Sequence, residues 1–152
     1  MHALKTEHLF SYEATLAPPE VIGPVVEGIR VNFWVTGGVV KGPRITGKLR
    51  PEGADFFTLR PDGVGLLNVK AVIETDDGAL IDLAYEGIAD LGPDAHARFL
   101  AGDPPTRLEL RTTPRLRSTH PAYADLARRL HVGVGVGQLD TLSVSYDIYT
   151  VG

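Results

Sequence analysis

Almost every stretch of this chain that alternates apolar with polar residues is cut short by glycine or proline. That rhythm restricts the fold to short antiparallel strands joined by tight turns. The 17 glycines and 11 prolines are spread over all 152 residues rather than gathered in a linker. The first stretch puts Leu4, Thr6, His8, Phe10, Tyr12, Ala14 and Leu16 on one face and Lys5, Glu7, Ser11, Glu13 and Thr15 on the other, which predicts a long, half-buried strand.

Beyond Pro18, Pro19 and Gly23, a β-rich run over residues 29–36 ends at Gly37-Gly38, and a further strand is expected over 44–50. Arg60-Pro61-Asp62-Gly63 and Asp76-Asp77-Gly78 are hairpin signals, so residues 55–87 read as a three-stranded meander. Residues 93–101 open on Pro93 and stop at Gly102, the pattern of a short helix, and 121–130 holds a second short helical candidate. Strands resume over 106–113 and over the Val-Gly alternation of 130–137. The closing run sets Leu142, Val144, Tyr146, Ile148 and Thr150 against Ser143, Ser145, Asp147, Tyr149 and Val151.

About nine strands with so little helix exclude a doubly wound α/β fold, and such a set of strands avoids exposed edges best by closing on itself. The expectation is a single mostly-β domain over residues 1–152, an antiparallel, closed or nearly closed barrel with one or two short helices.

Several function classes fall away on composition. With no cysteine, disulfides, thiolate metal sites and cysteine nucleophiles are excluded. No apolar run approaches the ~20 residues of a membrane helix, and the start of the chain lacks a secretory pattern, so a cytoplasmic location is expected. The net charge of −4 and dispersed basic residues argue against a nucleic-acid partner. His2, His8, His96, His120 and His131 show no ligand spacing, and no Gly-x-Ser-x-Gly is present. Neither a metal nor a cofactor is expected.

The meander supplies the candidate site. A regular hairpin with Arg60 opposite Gly65 sets Leu59 against Leu66, Phe57 against Asn68 and Asp55 against Lys70. The next turn then sets Lys70 against Ala84 and Asn68 against Glu86. One face thus gathers Asp55, Lys70, Glu74, Asp82 and Glu86, and the other Phe56, Leu67, Val69, Ala71, Ile73, Ile81, Leu83 and Tyr85. Periodicity alone puts the charged face outside, and a bulge at Gly53 or Gly65 would reverse it.

Residues 36–63 (TGGVVKGPRITGKLRPEGADFFTLRPDG), 75–81 (TDDGALI), 111–115 (RTTPR), 132–135 (VGVG) and 146–151 (YDIYTV) resemble the family called domain of unknown function 3237, nearly end to end. The resemblance implies a calycin-like barrel of bacteria and fungi, often a homo-oligomer, with no activity settled for the family. Asp55 fits its pattern, as do Gly37, Gly38, Arg44, Arg60, Asp62, Gly63, Asp77 and Arg111. Phe56-Phe57, Asn68, Lys70 and Tyr85 depart from it.

These readings converge on a barrel that binds a small apolar or aromatic molecule, with cofactor-free acid–base chemistry of the isomerase, cyclase or lyase kind. Asp55 is the candidate base and Lys70 its tuner. Trp34, Phe57, Tyr85, Arg111 and Tyr123 are the candidate pocket, with Arg44 and Arg111 as anchors for a carboxylate or phenolate. The alternative is a non-catalytic module that assembles through its polar β face.

Overall fold

The computed structural model describes residues Met1–Gly152. Ten strands form one sheet: β1 (Thr6–Leu16), β2 (Glu20–Val25), β3 (Gly28–Lys41), β4 (Gly47–Leu49), β5 (Ala54–Leu59), β6 (Val64–Thr75), β7 (Leu80–Asp90), β8 (Arg107–Arg117), β9 (Leu130–Gln138) and β10 (Ser143–Val151). Every pairing is antiparallel, in the order β1-β10-β9-β8-β7-β6-β4-β3-β2, and β1 also pairs with β3, which closes the sheet into a barrel. β4 and β5 share one stave between β3 and β6, and β2 extends the β1 side of β3. The closed barrel therefore has eight staves. No helix in it is long and apolar enough to cross a membrane.

The alternation read from the sequence holds along β8; in β1 a bulge between His8 and Phe10 breaks it, burying Leu9 beside Phe10 and leaving Leu4 and Thr6 exposed. In β8, Leu108, Leu110, Thr112 and Leu116 are buried while Arg107, Glu109, Arg111, Thr113, Arg115 and Arg117 are exposed. The inner residues of every stave but β9, joined by Ile45, Ala79, Ala95, Tyr123 and Leu126 from the connections, merge into one core of 29 buried side chains. In β9 the pattern is inverted in size: Gly133, Gly135 and Gly137 face inward and the valines face outward. A Cβ at Gly135 would overlap the ring of Tyr146, its partner across the ladder, so the glycine makes room for the tyrosine.

Gly37-Gly38 does not end a strand. β3 runs on to Lys41, and Gly37, at φ +147°, lies where β3 changes partners from β2 and β5 to β1 and β4. The strand expected over 44–50 shrinks to Gly47–Leu49, because residues 42–46 leave the sheet to meet the end of the barrel. The two helices are α1 (Ala95–Leu100) and a short 3-10 helix, Ala124–Arg128.

The two ends of the barrel differ. At one end the 3-10 segment crosses the opening: Leu126 is fully buried, Arg44 grips Asp125 at 2.9 and 3.3 Å and the Ala122 carbonyl at 2.9 Å, and the Tyr123 hydroxyl donates to Asp77 at 3.0 Å. These bonds tie the β8–β9 connection to the β3–β4 connection and to the β6–β7 turn, so this end is plugged. At the other end α1 packs on the core through Ala95 and Phe99, while Leu16, Val35, Leu139, Ser143 and Val144 stay partly accessible and frame a mouth.

Candidate functional site

The register of β5 against β6 decides what the lumen contains. Ala54 pairs with Lys70, Asp55 with Val69, Thr58 with Leu66 and Leu59 with Gly65, one residue away from a regular hairpin with Arg60 opposite Gly65. The cause is the turn. Gly63 N–H bonds the Arg60 carbonyl, Arg60 N–H bonds the Val64 carbonyl, and Gly63 takes φ +87°, so the glycine absorbs one residue as a bulge. The turn at Gly78 is built the same way, and there the expected partners, Lys70–Ala84 and Asn68–Glu86, form.

This slip turns Asp55 and Phe57 inward onto the face of Leu67, Val69, Ala71, Leu83 and Tyr85, and turns Phe56 outward. Lys70 is on the exposed outer wall, opposite Ala54, so the sequence-expected Asp55–Lys70 pair does not exist. Lys70 cannot tune the carboxyl from there.

The lumen toward the mouth holds a narrow cavity of about 60 Å³, several times what one water needs, and 17 of its 20 lining residues are hydrophobic. Asp55 is its only charged group; Tyr12, Tyr85, Tyr146 and Ser143 are its other polar side chains. Asp55 is half-buried and lines this space, and Oδ1 accepts the Asn68 backbone N–H at 3.0 Å. Burial pushes its pKa up to about 7 against the lowering pull of that N–H and of Arg30. A carboxyl poised there exchanges a proton near neutrality.

Three phenols share the cavity. Tyr12 and Tyr85 hydrogen-bond hydroxyl to hydroxyl at 2.6 Å, and the Tyr146 ring lies 5.2 Å from Tyr12 and 5.5 Å from Tyr85. Burial raises the pKa of all three well above the ordinary phenol value, and the Asp55 charge adds to the rise. They stay protonated and serve as hydrogen-bond donors. Of three buried polar atoms without a partner, Thr112 Oγ1, His131 Nδ1 and the Tyr146 hydroxyl, only the last belongs to a residue lining this cavity.

Of the sequence candidates, the structure brings Asp55, Phe57 and Tyr85 together and disperses the rest. Trp34 is exposed outside, edge-on to Phe56. Arg111 is also outside, near Glu109. Arg44 and Tyr123 hold the plug at the far end. Tyr12 and Tyr146 are legible in the sequence as inward-facing residues but not as partners of Asp55. The signal for Tyr146 is the glycine run: a strand with glycine at every other residue needs a bulky neighbour.

Two larger concavities, of about 620 and 570 Å³, are open grooves on the outer wall. The first is lined by Ser11, Glu13, Lys41, Arg111 and Asp147 among others; the second lies over the gap in the β5–β6 ladder.

Comparison with known proteins gives a consistent fold. The family model described as Protein of unknown function (DUF3237) matches residues 4–151. A UPF0311 protein of Rhodopseudomonas palustris (strain TIE-1) is 33% identical over 151 residues, 97% of each chain. Among solved structures, a beta-barrel like protein from Acinetobacter baumannii superposes with TM-score 0.84 at 25% identity, covering 100% of this chain and 98% of that one. An enzyme from Penicillium herquei superposes with TM-score 0.73 at 18% identity, covering 100% and 97%, a likeness of fold alone.

Proposed function

This chain belongs to the DUF3237 family, described only as proteins of unknown function, and from its own residues we propose that it is a cofactor-free acid–base enzyme acting on a small apolar or aromatic molecule held in the barrel lumen. The observation that carries the reading is Asp55: a lone carboxyl in an apolar cavity, with a pKa of about 7 and no cation beside it in the lumen. Such a group takes a proton from carbon or oxygen and returns it, which is the chemistry of isomerisation, cyclisation or elimination. Phe57 and the tyrosines supply the apolar walls against which a flat guest packs.

The test is proton exchange. Small neutral ketones such as cyclohexanone and acetophenone are incubated with the protein in D2O and the loss of their α-proton signals is followed by NMR. The wild type is expected to accelerate exchange along a pH profile with its midpoint near 7 and its plateau above that, and Asp55→Asn to fall to the buffer rate while remaining folded. An Asp55→Asn protein that exchanges as fast as the wild type ends the proposal.

A second reading, a non-catalytic module that assembles through its outer wall, is favoured by the concave outer face over β1, β3 and β8–β10. There exposed Val39 and Val134 sit among Glu13, Lys41, Arg111 and Asp147. Sedimentation tests this second reading: a concentration-independent oligomer disrupted by Val134→Glu supports assembly, and a monomer excludes it.

A further inference from the structure

The lumen holds an unpaired hydroxyl distinct from the Asp55 carboxyl. The Tyr146 residue is 3% exposed and borders the cavity, and its hydroxyl, near enough to that of Tyr85 to act on it, closes no hydrogen bond of ordinary geometry with the protein. A buried hydroxyl without a well-formed hydrogen bond costs free energy, which a guest oxygen brought within reach recovers. Gly135 shows that the space was made for this ring, because any side chain there would displace it. The neighbouring Tyr12–Tyr85 bond uses one of the two hydroxyl protons of that pair. The hydroxyl that accepts keeps its own proton, so the cluster offers two O–H donors, one from Tyr146 and one from the pair.

Nothing in the cavity lining carries a positive charge, and Asp55 is acidic. An anionic guest would be repelled and uncompensated in the apolar lumen, which leaves neutral molecules. We infer that Tyr146, backed by the Tyr12–Tyr85 pair, binds the carbonyl or hydroxyl oxygen of a neutral ketone or phenol while the rest of the guest lies against the apolar wall. This deepens the proposed function and rests on it.

For a ketone the step balances within the site. The α-C–H electron pair becomes the C=C bond, the C=O pair moves onto oxygen, and the proton goes to an Asp55 oxygen. The oxygen that gains charge is the one facing the tyrosine donors, which strengthens those hydrogen bonds as the charge develops. Return of the proton to the same or another carbon restores the carboxylate, with no oxidant or reductant required.

The narrow cavity calls for small probes: 4-fluorophenol and fluorobenzene, followed by fluorine NMR titration into the wild type, Tyr146→Phe and Asp55→Asn. The wild type is expected to prefer 4-fluorophenol on the order of tenfold. Tyr146→Phe should lose most of that preference, with its affinity for fluorobenzene unchanged as the sign of an intact cavity, and Asp55→Asn should keep it. Equal binding of the two probes by the wild type, or a preference that survives in Tyr146→Phe, overturns the subsite and leaves the lumen reading standing. A preference lost only in Asp55→Asn also overturns it, by placing the oxygen on the carboxyl. Failure of both probes to bind the wild type sinks the lumen reading and the subsite together.

Discussion

The Asp55 carboxylate takes the backbone N–H of Asn68, a proton that a regular β5–β6 ladder would give to the Phe56 carbonyl. The ladder pairs Ala54 with Lys70 and Asp55 with Val69 and resumes only at Thr58–Leu66, so the acid is part of the wall as well as of the lumen. The neighbouring Phe57 carbonyl is in turn held by the Arg30 guanidinium.

The first prediction concerns pH. Asp55 titrates near 3.8 in the unfolded chain and near 7 in the folded one, so between those values the folded state binds more protons and its stability falls as pH rises. At about 1.4 kcal/mol per pH unit, the window is worth roughly 4 kcal/mol at most, less whatever water the lumen admits. Asp55→Asn keeps the oxygen that Asn68 needs and has no charge to bury. Urea denaturation should find the variant close to the wild type at pH 4 and more stable at pH 8; parallel pH curves would count against a buried carboxyl.

Lys70 should be dispensable. Its side chain is on the outer wall, so Lys70→Ala is expected to change stability by no more than about 0.5 kcal/mol and to leave the pH profile of proton exchange in place. A displaced profile would mean that its charge reaches the lumen.

The glycines of β9 should not be equivalent. A Cβ at Gly135 would overlap the Tyr146 ring and come within 2.6 Å of the Ser145 carbonyl, whereas at Gly137 the nearest atom is 3.5 Å away, on Leu108. Gly135→Ala is expected to cost about 1–3 kcal/mol by overpacking. Gly137→Ala should fold at close to wild-type stability while lining the lumen with an added methyl. Thermal melts of the two variants side by side decide the point.

Tyr123→Phe should loosen the plugged end alone. It removes the hydroxyl shared by both Asp77 oxygens, at an expected cost of about 1 kcal/mol. Asp77 is held below the usual carboxylate range first by the Thr75 hydroxyl and then by Tyr123, so its pKa should rise in the variant without reaching the ordinary value. Carbon NMR titration of the side-chain carboxyls reads both this and an unchanged Asp55.

Much of the wall is legible in the sequence because it depends on near neighbours along the chain. The alternation of β8 and β10, the two hairpins and the Gly78 register follow from period and turn chemistry. The Asp55 register does not, although Gly63 carries the same bulge as Gly78, and that single residue decides whether the acid faces water or lumen. Residue type alone puts Trp34 and Arg111 in the pocket, but the face they present depends on strand register and coiling through the whole barrel. The plug is least legible, since Arg44–Asp125 and Tyr123–Asp77 join residues 81 and 46 positions apart.

Because the 3-10 segment stoppers one end, the barrel is a cup rather than a tube. A guest of the lumen would have to leave by the doorway through which it arrived, between Leu16, Leu139 and Val144. Two molecules could not pass each other in so narrow a throat, so under the proposed function traffic would be strictly in turn, and a departing product would obstruct the next arrival. An enzyme of this shape would show product inhibition that is purely competitive, and it would have no place for a second bulky reactant.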